Sequence, residues 1–413
     1  MRIFILEMRK ILRTRITWIL LLVALLFSAL MAYLPVTFEG VSCRGDSGER
    51  IELSGLAAVR YMKEEGAEIS GEVTTEKITQ AVQEYQSALK EYGVTDSFEL
   101  PEDVYYDRLM IYQPFVHGVR EVFSDEKTGM APGFLDLSLD EVGTFYEKAP
   151  VRLANLMRME GSSQKDIDKA QVMYEKVKKP FQYYEGVSGN SMDYQVLYIF
   201  LLTVFCAVIV SPVFSMDYQT GADDILRCTK YGRLRLAVIK ILAALLITGV
   251  TFLLCGVVWI LMTNTLFGWE STKTSMQMIF SVSSLPALTV GELEWVNLLG
   301  SFLLFLSLMS LILFLSSRIR NAAVALAAAM FFCILPILSY VGAPEIIGNW
   351  LQCLLPGGAI GLNNSLMYAM TELDFMHLGG LSVWNVHLMF IVAAIWIPVL
   401  LIGTVWSYCR RSM

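Results

Sequence analysis

The sequence predicts an all-α polytopic membrane protein with six transmembrane helices and a mostly helical domain inserted between the first two. Three observations carry that expectation. Apolar residues make up 55% of the 413 and charged residues only 17%, with a mean hydropathy of +0.53. Soluble domains carry about a quarter charged residues. Six runs are long enough to cross roughly 30 Å of hydrocarbon at about 20 residues each. Charge is also divided by region. Residues 36–194 hold 17 Lys and Arg against 29 Asp and Glu, net −12, while the remainder holds 15 against 10, net +5. An acidic water-facing domain joined to a basic membrane part has this distribution.

Residues 1–15 come first. Ile3, Leu6, Met8 and Leu12 alternate with Arg2, Arg9, Lys10 and Arg13, the pattern of a helix lying on the inner membrane surface; the plainer reading is charge that only sets topology. The spans follow at 16–34, 196–214, 241–266, 296–316, 322–341 and 386–408. Residues 35–195 form the inserted domain, 215–240 a cytoplasmic loop, and 267–295 and 342–385 the remaining external segments. The first run is too long for a signal-peptide core, and Leu30 spoils a cleavage site before Ala32, so it is expected to stay as an anchor.

The positive-inside rule fixes the expected orientation. Arg2, Arg9, Lys10, Arg13 and Arg15 precede the first span. Arg227, Lys230, Arg233, Arg235 and Lys240 lie between the second and third, Arg318 and Arg320 between the fourth and fifth, and Arg410 and Arg411 after the sixth. Six spans put all of these, and both termini, in the cytoplasm. Residues 350–370 are uncharged but broken at Pro356-Gly357-Gly358. Counting them as a full span would move Arg410 and Arg411 outside, so a re-entrant or interfacial pair of short helices is expected there.

The inserted domain is expected to be extracellular and helical. Ile78, Val82, Tyr85 and Leu89 mark a helix over 76–92 by their spacing. Leu109, Tyr112, Val116 and Val119 mark another over 104–123. Ser138 and Glu141 form a capping-box pattern ahead of 142–159, and 164–184 reads as a fourth helix. Its closing Tyr183 and Tyr184 are placed to anchor at the outer interface. Period-two alternation is confined to 71–75.

Several chemistries are excluded or weak. A phosphate-cradling G-x-x-x-x-G-K-[ST] is missing, as are H-E-x-x-H, C-x-x-C and a dinucleotide fingerprint. The chain is therefore not read as an ATPase or any other enzyme, and no metal site or nucleic-acid partner is expected. Glu372, Asp374 and His377 are close together, but a solvated loop explains them better than a bound cation. Gly186-Val187-Ser188-Gly189 matches an intramembrane serine-protease motif, with His387 opening the sixth span. Ser188 precedes its span at the end of a water-facing domain, so a Gly/Ser hinge is the better account. Cys206, Cys255 and Cys333 read as small core residues. Cys353 is the only external partner open to Cys43, and nothing in the spacing supports that pair. The span interiors lack Asp, Glu, Lys and Arg, which counts against a proton-coupled carrier.

The loop from Ser215 to Lys240 is the most informative segment. Asp217 follows the second span, and Gly221 precedes a short helix holding Asp223, Asp224, Ile225, Leu226 and Arg227. A turn with Gly232 and Arg233 then leads to Lys240 and the third span. Asp223 and Asp224 suit the N-terminal end of that helix, and Arg227 and Lys230 its C-terminal end. This arrangement resembles the loop between the second and third spans of ABC-2 family (type V-like) ABC transporter permeases. Asp217, Gly221, Ile225, Leu226, Gly232, Arg233 and Lys240 sit at the matching places. The departures are Asp217 where Glu is common and Tyr231-Gly232 where Pro is common. Leu354–Gly358 is similar to the short external helices of that family, and the large domain matches members that carry an insertion there.

The resemblance implies a permease subunit of an ATP-driven exporter in a cell membrane, of bacterial type. It implies a second permease chain, identical or related, and two copies of an ABC ATPase subunit that bind ATP and Mg; this chain itself would hold no cofactor. Ile225 and Leu226 would plug an ATPase cleft. The exported material would be a lipid, a peptide or a drug-like molecule, and the acidic domain favours a cationic peptide. Two other classes stay open: a membrane-anchored sensor or interaction protein using the external domain as receptor, and a secondary carrier or channel.

Overall fold

The computed structural model describes residues 2–44, 49–187, 189–228 and 232–410. Ser188, Lys230, Tyr231 and Arg411 of the sequence reading lie outside them. Six helices are long and apolar enough to cross a membrane, as an all-α polytopic membrane protein requires. The N-terminal helix Arg2–Leu12 precedes the first span, Arg15–Tyr33. The second runs Gly189–Val210 and, beyond Ser211, continues as Pro212–Thr220. Pro212 sits at the start of that continuation, where its missing N–H costs nothing. The others are Leu234–Phe267, Val290–Arg318, Ala322–Gly342 and Asn385–Arg410.

The fourth and sixth spans pack along one another, and the third packs on the first and on the N-terminal helix. The second touches the first, third, fourth and fifth, and the fourth touches the second, third, fifth and sixth, so these two form the centre. Phe252 and Phe305 stack at 4.6 Å between the third and fourth spans. Cys206, Cys255 and Cys333 are buried among the spans. The first, fifth and sixth spans leave most of their apolar surface uncovered by this chain.

Three helices extend well past the expected boundaries: the second span begins at Gly189 rather than 196, and the extensions of the third and fourth matter most. The third span begins at Leu234, so Lys240, expected in the loop, lies inside a helix. The fourth begins at Val290, so Glu294, expected in an external loop, is helical and fully buried. Charge hid both, because a hydropathy window stops at an ionised group whether or not the fold pairs it. The uncharged-span argument thus holds for 296–316 and fails about one turn earlier.

The inserted domain is mostly helical with small strand pairs. Thr75–Tyr92 forms as expected, with Thr74 capping its start and Gly93 closing its end. The helix expected over 104–123 is instead broken. Residues Glu102–Leu109 wind irregularly, and the regular helix is Gln113–Val122, with Pro114 in its first turn. The helix expected from 142 breaks at Gly143-Thr144 and resumes as Phe145–Met159. The helix from Gln164 ends at Tyr174 rather than 184. Pro180 cannot continue it, and Gln182–Tyr183 pairs as a strand with Gly71–Glu72. Tyr183 is buried in that pairing, and Tyr184 bonds to Thr274 through its backbone. Two hairpins were not anticipated: Gly40–Arg44 with Arg50–Ser54, and Phe375–Leu378 with Leu381–Trp384. Cys43 lies in the first hairpin, and both Cys43 and Cys353 are buried free thiols.

The domain is fastened to the connections between spans. Glu121 accepts hydrogen bonds from the Ser281 hydroxyl (2.6 Å), the Val282 and Ser283 amides (2.9 and 3.1 Å) and the Ser283 hydroxyl (2.9 Å). Gln182 and Ser275 exchange two bonds. Lys169 donates to the Ser382 carbonyl at 2.6 Å. Gly186 is part of this fastening and not a free hinge. Its φ is +150°, and a Cβ there would lie 2.6 Å from that of Ser271, so glycine alone fits.

Candidate functional site

The end of the bundle that carries both chain termini holds every residue of the sequence-derived site that the structure describes. The helix Pro212–Thr220 stops at Gly221, whose φ of +70° turns the chain into the six-residue helix Ala222–Arg227. A left-handed corner of this kind favours glycine. Asp223 and Asp224 fall in its first turn and Arg227 in its last, matching the helix dipole.

One side of this short helix is braced. Asp223 and Arg227 are buried and face each other at 3.7 Å. Arg227 donates to the Tyr408 carbonyl at 3.0 Å, and its guanidinium lies over the Tyr408 ring. The Tyr408 hydroxyl bonds the Gly232 carbonyl at 3.3 Å. The sixth span therefore holds the back of the short helix and the turn that follows it. The opposite side is open. Ile225 is 75% exposed, Asp224 and Cys228 are exposed, and Leu226 is half-buried. Of the apolar pair expected to face a partner, Ile225 alone points fully outward. Arg233 is exposed at the start of the third span, and Gly232 is buried.

Asp217 occupies a different position from the one a contact residue needs. It is 2% exposed and pairs with Lys240 (2.5 Å) and Lys10; Lys240 also reaches Glu7 at 3.0 Å. Four charges from three elements neutralise one another, and they lock the N-terminal helix to the second and third spans. Glu7 is the buried face of that helix, while Arg2, Leu6, Arg9, Lys10 and Arg13 are exposed. Glu7 escaped the sequence reading because nothing in local spacing marks a partner 233 positions away.

A second polar cluster lies toward the inserted domain. The Gln195 amide donates to the Glu294 carbonyl at 3.3 Å, and Asn297 donates to the Gln195 side chain at 2.9 Å. Asn264 donates to Glu294 Oε2 at 2.6 Å. Asn264 and Glu294 are fully buried. The sequence signal for this cluster was Asn264 near the end of an otherwise apolar run.

Among the described residues no group of three His, Cys, Asp or Glu side chains is arranged to hold a metal ion. His377 Nε2 lies 3.1 Å from Asp166 and 3.4 Å from the Ser163 hydroxyl. Both approach the same nitrogen, so this is not a nucleophile, base and orienting acid in series. Asp166 is buried, which opposes its charge. The Ser382 hydroxyl first, then hydrogen bonds from Ser163 and the adjacent His377 ring, outweigh that and hold it below the ordinary carboxylate range. His387 stacks edge-on against Trp384 at 5.2 Å.

Six apolar helices with an inserted helical domain define a polytopic membrane protein of the helical class. No protein-family model matches the sequence, and no curated protein matches it.

Proposed function

We propose that this chain is the permease subunit of an ATP-driven exporter of the ABC-2 type, with ATP and Mg held by two copies of a separate ATPase subunit. The observation that carries the reading is the short helix Ala222–Arg227: rigidly backed by Tyr408, yet presenting Ile225 75% exposed. A hydrophobic side chain held outward on a braced helix suits burial in a cleft of a partner. The basic residues Arg2, Arg9, Arg13, Arg233, Arg235, Arg318 and Arg410 sit at the same end, which supports a cytoplasmic location for it by the positive-inside rule. The inserted domain then faces the outside. Closure of the ATPases would press on the short helix, and the Arg227–Tyr408 contact would carry that push to the sixth span. The apolar faces left uncovered on the first, fifth and sixth spans suit lipid and a second permease chain. The exported molecule would be a lipid, peptide or drug-like compound.

The test is capture from the native membrane with the intact chain and with Ile225→Asp. The single substitution is cleaner than one that also changes the half-buried Leu226. Ile225 makes no bracing contact, so the variant should insert and melt within about 0.5 kcal/mol of the wild type. Wild type should recover an ATPase with a P-loop, and Ile225→Asp should lose it. Equal recovery would mean that the docking surface is elsewhere. No ATPase with either chain would remove the exporter reading and favour the inserted domain as a receptor. A secondary carrier gains some ground from buried Glu294, since such carriers use intramembrane carboxylates, and the same null capture would leave it standing.

A further inference from the structure

A cavity of about 1310 Å³ opens between the end of the inserted domain, the connection from third to fourth span, and the start of the fourth span. Asn264 and Glu294 line it and are both fully buried. They satisfy each other only in part. Asn264 spends its two N–H donors on the Ile260 carbonyl at 3.0 Å and on Glu294 Oε2 at 2.6 Å. Glu294 Oε1 and Asn264 Oδ1 then have no hydrogen-bond partner. With the carboxyl ionised both atoms are acceptors, and a buried polar atom without a partner is costly. In that ionised state the site is completed by a donor, and best by a positive one.

We propose that this cavity binds the primary ammonium group of an amphipathic ligand, with Glu294 as counter-ion and Asn264 Oδ1 as second acceptor. An ammonium brings three donors and one charge to two waiting oxygens. Inorganic cations fit less well, because they need about six oxygen ligands and this floor offers two. The volume exceeds that of an ordinary drug-sized pocket, roughly 300–1000 Å³, so the ligand has a body. Tyr184, Trp269 and Trp295 in the walls give that body aromatic surface and favour a cation near it. The wall lysines Lys176, Lys178 and Lys273 stand beside the wall acids Glu175 and Glu292, Lys273 is paired with Glu270 at 2.6 Å, and the floor itself offers an anion no donor. The inference stands on binding alone and does not depend on an ATPase partner.

The experiment titrates dansylcadaverine, a primary ammonium on a fluorescent aromatic body, into the full chain in phosphatidylcholine nanodiscs. Its N-acetylated form is the neutral control. Saturable binding of the amine but not of the acetylated form is expected. Glu294→Gln keeps the shape and removes the charge, so it should weaken binding by roughly tenfold to a hundredfold. Glu292→Gln, also in the wall, should leave it within about twofold. Equal binding of the acetylated probe, or an unchanged affinity in Glu294→Gln, would overturn the proposal. Should Glu294→Gln fail to insert, wild-type protein decides it through carbodiimide labelling. The reagent should modify Glu294, and dansylcadaverine should protect it where the acetylated form does not. Labelling without protection would again overturn the site. Adding phosphatidylethanolamine to the nanodiscs, or a Lys-rich peptide to the solution, separates the two sources of ammonium: the natural ligand's source is the one that competes.

Discussion

Two polar clusters sit on the same helix, at Lys240 and at Asn264. They are 24 residues apart, about 36 Å at 1.5 Å per residue. The first is closed. Lys10 and Lys240 meet Asp217 and Glu7, and the charges cancel. The second is open, because Glu294 receives one amide bond to Oε2 and its other oxygen has no partner. Both are buried polar groups, and the difference lies in what completes them. A cluster completed by the chain itself fixes how elements pack. A cluster that the chain leaves incomplete is suited to something that arrives. Glu121 adds a third case: a carboxylate met by four donors from the Ser281–Ser283 connection, again closed and again structural.

Breaking the closed cluster should give the largest effect. Lys240→Met leaves Asp217 and Glu7 facing each other inside the bundle with only Lys10 nearby. Removing one partner of a buried ion network costs about 3–5 kcal/mol. The thermal midpoint of the solubilised protein should fall sharply, and Asp217→Asn in the same chain should recover part of it. An unchanged midpoint in Lys240→Met would mean that the network is solvated and the comparison is false. Glu121→Ala comes next, at about 2 kcal/mol, the scale of hydrogen bonds to a charged group. Its signature is faster proteolysis around Ser281–Ser283, where the donors lose their acceptor. Glu294→Gln should behave in the opposite way. It removes an incompletely paired buried carboxyl without changing volume, so the stability should hold or rise by up to about 1 kcal/mol and the midpoint should not fall. A fall as large as that of Lys240→Met would place Glu294 among the closed sites.

The sequence made some of this legible. Six spans follow from apolar content, which acts without direction and needs no partner to be recognised. The short helix at 222 was visible because Gly221, two acids and a base mark its ends locally. The clusters were not, since Glu7 and Lys240, or Asn264 and Glu294, are joined by the fold across 233 and 30 positions. A hydropathy reading assigns such charges to loops, and so it shortened the third and fourth spans. Other misses were local. Gly379-Gly380 between apolar flanks is a hairpin signal, and Gly379 adopts the φ of +63° it needs. Ser163 and Asp166 form a reciprocal capping box, a pattern that was read at Ser138 but not here. Pro180 stops the helix expected to reach Tyr184, and strand pairing with Gly71–Glu72 takes up the chain beyond it.

The smallest expected effect tests the seam between the inserted domain and the bundle, where a carboxyl is closed by a neutral donor. Glu185 accepts a bond from the Tyr183 hydroxyl at 2.5 Å. Burial raises its pKa above the ordinary range, and the Tyr183 bond only partly opposes this. Glu39 nearby is raised too, by burial first and then by the charge of Glu185. For a carboxyl raised on folding, the favourable contribution is fully present below the unfolded value, about 4.3. It is lost as pH rises through the folded value. The wild-type midpoint should therefore decline across that window, and Glu185→Gln should flatten the decline and leave the low-pH midpoint unchanged. Asp166 has the opposite sign: held below the ordinary range, its contribution is present above that range and is lost as pH falls through its own value. Asp166→Asn should thus lower the midpoint at neutral pH and converge on wild type in acid. If both variants shifted the midpoint in the same direction at every pH, the seam would be held by packing and not by these charges.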